Sequence, residues 1–277
     1  MQSLLLPSGR PIPKLGQGTW RMGERRSQRP QEIAALREGI DLGLTLIDTA
    51  EMYGEGGAER VIAEAVADCR DRIFLVSKVY PHHASRADVI KACERSLQRL
   101  QTNYLDLYLL HWRGGISLDQ TFAGFHALKT AGKIREFGVS NFDRADMEEA
   151  IAQPYGNEIA VNQVLYNLMR RGIEWDLLPW CQQHQIPIMA YSPLEQGRLL
   201  QNQTLGNIAQ RRQVSPAQVA IAWLLRQDNI LTIPKSATPD RIKEHSAARE
   251  IQLPPEELKA LDQVFPPPTG PVPLEML

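Results

Sequence analysis

Four side chains that can donate, accept or hold a proton stand at or just beyond the ends of short apolar runs, and they are Asp48, Tyr53, Lys78 and His111. A tyrosine can donate a proton to a substrate oxygen, but its ordinary pKa near 10 makes it a reluctant acid at neutral pH. A lysine ammonium beside Tyr53 would favour the phenolate and lower that pKa, and Asp48 would keep Lys78 charged. His111 would donate a hydrogen bond to the same substrate oxygen. These residue types therefore predict proton transfer to an oxygen atom.

Each of the four residues also has a plain structural explanation. Asp48 and Lys78 can form a buried ion pair, His111 can be a core histidine with satisfied hydrogen bonds, and Tyr53 can pack as an ordinary aromatic side chain. The catalytic interpretation therefore requires a fold that brings these four distant positions together.

The chain alternates between short apolar runs and stretches in which apolar residues recur every three or four positions. The runs are typical of buried parallel strands, and the periodic stretches are typical of helices that cover them. The predicted ends of eight strands lie 23 to 44 positions apart, at Gly18, Asp48, Lys78, His111, Ser140, Gln163, Tyr191 and Lys235. This spacing is close to the roughly 30 residues of one strand–helix–strand unit.

Eight such units predict an α/β protein, a (β/α)8 TIM barrel that forms a single domain over residues 1–277. Residues 3–15 predict an N-terminal β-hairpin that caps the barrel, and proline-initiated stretches after residues 238 and 254 predict additional C-terminal helices. An open doubly wound sheet is the alternative, but no Gly-x-Gly-x-x-Gly motif follows the first strand. In a barrel the carboxyl ends of all strands face one mouth, so the four polar residues would converge there.

Composition restricts the class of partner. The chain carries 31 Lys and Arg against 32 Asp and Glu, so no basic field attracts nucleic acid or an anionic membrane, and we expect a monomer that binds a small molecule. Cys69, Cys93 and Cys181 are odd in number and far apart, which favours free thiols in the cytoplasm. No run approaches the ~18 apolar residues of a membrane span. The pair His82-His83 lacks a third ligand, so no metal site is predicted.

The motifs at the eight strand ends resemble those of the aldo-keto reductases, in the same order and over almost the whole chain. They are Gly-Thr-Trp20, Asp48 with Tyr53, Lys78, His111, Ser140-Asn141, Gln163, Tyr191-Ser-Pro193 and Ile-Pro-Lys-Ser236. The run Ile47-Asp-Thr-Ala-Glu-Met-Tyr53 is most similar to bacterial methylglyoxal-reducing members. The resemblance implies NADPH-dependent reduction of aldehydes and some ketones to alcohols, including small carbonyls such as methylglyoxal, with Tyr53 as general acid.

The resemblance also implies where NADPH or NADP+ binds across the barrel mouth. Tyr191 would stack on the nicotinamide ring, and Ser140, Asn141 and Gln163 would hydrogen-bond its carboxamide. The other cofactor-binding residues it implies are Gly18, Thr19, Trp20, Asp48, Ser192, Pro193, Leu194, Lys235, Ser236, Thr238, Arg241, Glu244 and His245. His245 departs from the family pattern, which has asparagine at this position.

The choice between NADPH and NADH depends on recognition of the 2′-phosphate. Lys235 and Arg241 supply cations, Ser236 supplies a hydroxyl, and a helix that begins after Thr238 supplies free backbone amides. These groups predict a strong preference for NADPH.

Aromatic residues near the strand ends predict the walls of a substrate pocket. Trp20 and Trp112 would form these walls, and Tyr80 on the loop after the third strand is a further candidate. Tyr53 and His111 would contact the carbonyl oxygen. A second class of function also fits the fold, namely a nicotinamide-binding regulatory or redox-sensing subunit with slow, incidental turnover.

Overall fold

Eight parallel strands form a barrel in the computed structural model, which describes residues 2–277. The barrel strands are β3 (Gly16–Gly18), β4 (Leu46–Asp48), β5 (Phe74–Val79), β6 (Leu105–Leu110), β7 (Ile134–Ser140), β8 (Ile159–Leu165), β9 (Ile188–Tyr191) and β10 (Ile230–Thr232). They neighbour one another in chain order. Parallel bridges from Leu15 to Thr232 and from Gly18 to Lys235 join the first strand to the last. The predicted barrel is therefore confirmed, and the open sheet is excluded.

An antiparallel hairpin precedes the barrel, as predicted. Its strands are β1 (Ser3–Leu5) and β2 (Pro11–Pro13). Leu6 and Ile12 are buried in the apolar cluster inside the barrel, which also contains Phe74 from the first position of β5. The hairpin thus closes the end of the barrel at which the strands begin, and leaves the opposite end open.

Helices separate successive barrel strands and cover their outer surface. They are α1 (Arg29–Asp41), α2 (Gly57–Ala65), α3 (Arg86–Leu100), α4 (Leu118–Thr130), α5 (Arg144–Ile151), α6 (Leu177–Gln183), α7 (Gln203–Arg212), α8 (Pro216–Leu225), α9 (Pro239–Ala247) and α10 (Pro255–Val264). Two helices lie between β9 and β10, which accounts for the longest interval in the sequence. The helices α9 and α10 after the last strand agree with the additional C-terminal helices predicted.

Side-chain alternation along the strands aims polar residues into the barrel. In β5, Leu75 and Val79 pack outward against the helices, whereas Val76 packs inside the barrel. Because successive strand residues face opposite sides, Lys78 has the same inward orientation as Val76. The same rule applies to Asp48 in β4, since Leu46 two residues earlier packs inside the barrel.

The predicted strand ends lie within three residues of the observed ones. Gly18, Asp48, Ser140 and Tyr191 are the final residues of their strands. The largest difference is on β10, which ends at Thr232, three residues before the predicted end at Lys235. On β8 the sequence placed the end at Gln163, whereas the strand continues to Leu165. β8 continues beyond Gln163 because Val164 and Leu165 pair with Ala190 and Tyr191 of β9.

A buried carboxylate ties the closed end of the barrel together. Asp106 on β6 is 3% exposed, and it accepts hydrogen bonds from Arg10 beyond the hairpin turn, from Arg70 Nη2 at 3.0 Å and from the Leu75 backbone amide at 2.9 Å. One side chain thus links the hairpin region, β5 and β6.

We expect Asp106→Ala to lower the free energy of unfolding by about 1–3 kcal/mol, because it leaves the buried Leu75 amide without an acceptor. Urea unfolding followed by circular dichroism measures this change. Asp71→Ala is the matched control, since Asp71 is an exposed aspartate nearby, and its effect should stay within about 0.5 kcal/mol. Equal losses for the two variants would contradict the role assigned to Asp106.

Candidate active site

A cavity of about 310 Å³ lies at the carboxyl ends of the barrel strands. The predicted site residues that line it are Gly18, Thr19, Trp20, Asp48, Tyr53, His111, Trp112, Ser140, Asn141, Gln163, Tyr191, Ser192, Pro193 and Lys235. The barrel thus brings together residues that lie more than 200 positions apart in the sequence. This convergence is what the catalytic interpretation required.

Lys78 lies beneath the cavity floor and is fully buried. Its ammonium nitrogen is 2.7 Å from Asp48 Oδ2, 2.8 Å from the Thr49 carbonyl oxygen and 3.3 Å from the Tyr53 hydroxyl oxygen. An ammonium has three protons, so all three donors have an acceptor. The Tyr53 hydroxyl is the one acceptor of the three that can also transfer a proton to a ligand in the cavity.

Further contacts hold Asp48 in place. Gln163 Nε2 donates to Asp48 Oδ1 at 2.8 Å, and Thr19 Oγ1 donates to the Asp48 carbonyl oxygen at 2.9 Å. The carboxylate therefore has a donor on each oxygen, one from β5 and one from β8. A continuous chain of hydrogen bonds runs from Gln163 through Asp48 and Lys78 to Tyr53.

Burial is the largest influence on the pKa values of the charged groups in this series of hydrogen bonds. It lowers the pKa of Lys78 and raises the pKa of Asp48, and in each case the charge of the partner opposes the shift. With the two charged groups 2.7 Å apart and every polar atom of the pair engaged, the ion pair is the favoured state at neutral pH.

The prediction that Lys78 lowers the pKa of Tyr53 is wrong, because the pKa of Tyr53 shifts in the opposite direction. Burial, followed by the negative charge of Asp48, raises the pKa of Tyr53 well above its ordinary value. Desolvation of a phenolate decides the direction, and the charge of Asp48 acts in the same direction. Tyr53 is therefore held protonated, and Lys78 acts as a hydrogen-bond donor to its oxygen.

His111 is neutral in this environment. Burial, together with the nearby Lys78 charge, lowers the pKa of His111 to about 2. Its ring lies edge-on to Tyr53 with centroids 5.9 Å apart, and its Nδ1 atom is buried without a hydrogen-bond partner among residues 2–277. A neutral imidazole beside the Tyr53 hydroxyl can hydrogen-bond an uncharged oxygen of a ligand.

Hydroxyl and amide groups form a second side of the cavity. Tyr191 donates its hydroxyl proton to Asn141 Oδ1 at 3.0 Å, and Asn141 Nδ2 donates to the His111 carbonyl oxygen at 3.0 Å. Ser140 Oγ donates to the Gln163 carbonyl oxygen at 2.8 Å. These contacts link the ends of β6, β7, β8 and β9. They also fix the orientation of the side chains that were predicted to hydrogen-bond the carboxamide of a nicotinamide.

Aromatic side chains surround the cavity mouth. Trp20 is 37% exposed, and Trp112 packs against His111 with ring centroids 4.8 Å apart. Tyr80 does not line the cavity, but its ring stands perpendicular to Trp112 at 5.9 Å and supports that wall from behind. We therefore place Tyr80 behind the pocket instead of in it.

Several predicted cofactor residues lie outside this cavity, and they are Leu194, Ser236, Thr238, Arg241, Glu244 and His245. Arg241 is exposed and forms no ion pair among residues 2–277. His245 is only 3% exposed, and burial lowers its pKa to about 4, so it offers almost no surface to a ligand. The contact between His245 and a cofactor is therefore not supported.

The sequence reasoning missed five residues that line the cavity, which are Met52, Gln196, Ile233, Met276 and Leu277. Met52 and Ile233 lie within motifs that the sequence analysis quoted, so their positions could have been inferred. The last two belong to residues 266–277, hereafter the tail, which contain no helix or strand. Their proline-rich sequence carries no periodic pattern that could have indicated a contact with the site.

Residues 2–277 contain neither a metal-binding cluster nor a membrane-spanning helix. No group of three His, Cys, Asp or Glu side chains is placed to hold a metal ion. No helix is long and apolar enough to cross a membrane.

Known proteins share both the sequence and the fold. The chain is 53% identical over 271 residues to methylglyoxal reductase YeaE of Escherichia coli, covering 96% of this chain and 95% of that protein. It is 35% identical to the glyoxal reductase of Bacillus subtilis, covering 93% and 90% of the two chains. A crystal structure of an aldo-keto reductase from Klebsiella pneumoniae in complex with NADPH superposes with a TM-score of 0.97 at 50% identity, covering 100% of this chain and 99% of that one.

The match to a family model agrees with these relatives and with the motifs at the strand ends. Residues 14–265, from the end of the hairpin to the end of α10, match the model of the aldo/keto reductase family. The closed barrel and the series of hydrogen bonds that ends at Tyr53 agree with this match. The protein therefore belongs to the aldo/keto reductase family.

Proposed function

We propose that this protein reduces aldehydes, and some ketones, to alcohols with NADPH, and that small reactive carbonyls such as methylglyoxal are its substrates. The observation that carries the proposal is the chain of hydrogen bonds from Gln163 through Asp48 and Lys78 to the Tyr53 hydroxyl at the cavity. Relatives named as methylglyoxal and glyoxal reductases support the substrate class, and the related structure with NADPH supports the cofactor.

The groups around the cavity suit a nicotinamide cofactor. When bound, NADPH supplies a hydride to the carbonyl carbon. Ser140, Asn141 and Gln163 would bind the carboxamide, and Tyr191 would stack on the ring. Gly18, Thr19, Trp20, Ser192, Pro193 and Leu194 would complete the cofactor site along the mouth.

The far end of the site suits a 2′-phosphate. Lys235 and Arg241 form no ion pair among the described residues, so both cations are available to an anion. Thr238 precedes α9 and provides no side-chain cap to it, which leaves the first backbone amides of the helix open to the same anion. Ser236 would add a hydroxyl to the phosphate site, and Thr238 and Glu244 would lie near the adenosine.

Tyr53 supplies the proton. Its raised pKa keeps the phenol protonated in the resting site, so the proton is present when a carbonyl oxygen arrives. As negative charge develops on that oxygen, the Tyr53 proton moves to it, and Lys78 stabilises the tyrosinate through its hydrogen bond. His111, held neutral, would hydrogen-bond the same oxygen and orient the carbonyl.

Aromatic side chains border the substrate pocket at the cavity mouth. Trp20 and Trp112 would form its walls, with Tyr80 behind Trp112. A panel of methylglyoxal, glyoxal, sugars and aromatic aldehydes, with NADPH oxidation followed by absorbance, tests the proposal directly. Negligible turnover with every aldehyde, despite tight NADPH binding, would favour the regulatory or redox-sensing subunit instead.

We also propose that the chain acts as a single domain over residues 1–277, as a monomer in the cytoplasm. The three cysteines are free thiols, which supports a reducing compartment. Light scattering on a size-exclusion column tests the monomer.

Tyr53→Phe should lower kcat by at least about 10²-fold, because the ring is retained but the general acid is lost. NADPH affinity, measured by fluorescence quenching, should be unchanged. The matched control is Tyr155→Phe, which removes the hydroxyl of an exposed tyrosine that does not line this cavity. Turnover by Tyr53→Phe close to that of the wild type would refute the assignment.

Lys78→Met should abolish most activity and lower the free energy of unfolding by about 3–5 kcal/mol, because it leaves Asp48 buried and unpaired. In the wild type the rate should decrease at high pH. The decrease should occur at a pH below 10.5, the ordinary pKa of lysine, since burial lowers the pKa of Lys78. Lys91→Met, at a lysine with a 66% exposed side chain, should change neither quantity. A variant at Lys78 with a normal pH profile would contradict its coupling to Tyr53.

Arg241→Ala should raise the dissociation constant for NADPH roughly tenfold or more, the loss expected for a charged hydrogen bond, and should change that for NADH much less. Lys243→Ala on the same helix is the control, since Lys243 lies nearest Glu38 and Asp240. Titration of both cofactors into all three proteins decides the question. Equal losses for the two cofactors would show that Arg241 does not bind the phosphate.

A further inference from the structure

The tail passes from α10 to the cavity mouth and contributes two apolar side chains there. Val272 packs closely on Gly172, since a Cβ atom at that glycine would lie 3.2 Å from it. Leu274 packs partly buried against the core. Met276 and Leu277 line the cavity, yet they remain 51% and 52% exposed, so they present apolar surface at the opening of the site.

One arginine connects the tail to a second segment of the cavity wall. Arg170 Nε and Nη2 donate to Glu195 Oε1 at 3.0 and 2.9 Å, and Arg170 Nη1 forms an ion pair with Glu275 of the tail. Glu275 directly precedes Met276. The guanidinium therefore bridges two carboxylates that are 80 positions apart in the sequence.

The second segment, residues 192–198, hereafter the cofactor loop, contains two of the proposed cofactor contacts that line the cavity, Ser192 and Pro193. Glu195 within it is fully buried and has a φ angle of 48°, so the conformation of the loop depends on how this carboxylate is held. Asn167 Nδ2 donates to Glu195 Oε2 and to the Ser192 carbonyl oxygen, both at 2.9 Å. Asn167 and Arg170 thus fix the loop from the same turn after β8.

We propose that Arg170 is a positioning residue that couples cofactor binding at the cofactor loop to the shape of the substrate pocket, by holding Met276 and Leu277 over the cavity through Glu275. This inference rests on the proposed reductase function. Arg170 touches neither the active-site cavity nor the reacting atoms. Under this proposal it nevertheless affects the affinity for small carbonyl substrates.

The exposure of the contacts sets the size of the effect. Arg170 and Glu275 have side chains that are 30% and 40% exposed, so water screens their attraction, whereas Glu195 is fully buried. The arginine therefore remains bound to the cofactor loop, and the tail contact is the weaker half of the bridge. Loss of that half should release the tail while the loop keeps its conformation.

Glu275→Gln removes the weaker half alone. We expect it to raise KM for methylglyoxal about two- to fivefold, the change that corresponds to about 0.4–1 kcal/mol, with kcat and the NADPH dissociation constant unchanged. Arg170→Ala should raise both KM and the NADPH dissociation constant. The matched control is Arg29→Ala, because the Arg29 side chain is 33% exposed, close to the 30% of Arg170, and its ion pair is with Glu64 on α2. It should leave KM unchanged.

Amide hydrogen exchange provides a readout that does not depend on turnover. NADPH should slow exchange in residues 272–277 of the wild type and of Arg29→Ala, and should have no such effect in Glu275→Gln or Arg170→Ala. Unchanged KM in Glu275→Gln, or protection of the tail by NADPH in that variant, would overturn the proposal. If the wild type instead binds NADPH without reducing any aldehyde, the reductase function fails, and the exchange experiment still decides whether Arg170 couples the two segments.

Discussion

The buried ion pair between Asp48 and Lys78 is the interaction on which the site depends. Both side chains are almost completely removed from water, and desolvation of two charges costs several kcal/mol per ion unless every donor and acceptor is engaged. The structure meets this condition with the Thr49 carbonyl oxygen, the Gln163 amide and the Tyr53 hydroxyl. These contacts restrain the segment after β4, which contains Thr49 and Tyr53, and Gln163 on β8, so satisfying one ion pair also fixes the geometry of the proton donor.

The barrel supplies the rigidity that this ion pair needs. Asp48 pairs with Gly18 on one side and Val76 on the other, so its position is set by two parallel ladders. Inside the barrel, apolar side chains such as Leu46, Val76 and Leu109 fill the space below the ion pair and exclude water. The low-dielectric floor that results explains why burial, and not the nearest charge, determines the pKa directions of Tyr53 and His111.

The open end of the barrel is completed by segments with little regular structure. The cofactor loop contains residues with positive φ angles, Ser192, Glu195 and Gln196, and the tail contains no helix or strand. Such segments hold a defined shape only when side-chain contacts restrain them, and here Asn167 and Arg170 provide those restraints. The rigid floor thus positions the proton donor, while the restrained loops shape the space above it.

Much of this architecture was predictable from the sequence. Apolar runs and helical periodicity are local patterns, so the eight strands, the helices between them and the N-terminal hairpin were anticipated, with strand ends correct to within three residues. A parallel barrel places all strand ends at one mouth, and Asp48, Tyr53, Lys78 and His111 could therefore be grouped before any contact was known. The motif order added the residues that line the cavity from Ser140 to Lys235.

Other features were decided by the tertiary structure alone. The direction of the Tyr53 pKa shift depends on burial, which no local pattern reports, and the expectation drawn from Lys78 alone had the opposite sign. His245 looked available in a motif but is enclosed by its neighbours. Met276 reaches the cavity, and Arg170 bridges Glu195 and Glu275, through contacts between residues far apart in the chain. The sequence by itself determined which residues could do chemistry and on which elements they lie, because hydrophobic periodicity and strand order depend on residues that are close together in the chain. Burial and long-range ion pairs form only when distant parts of the chain pack together, so only the tertiary structure determined the pKa directions and the contacts of the tail.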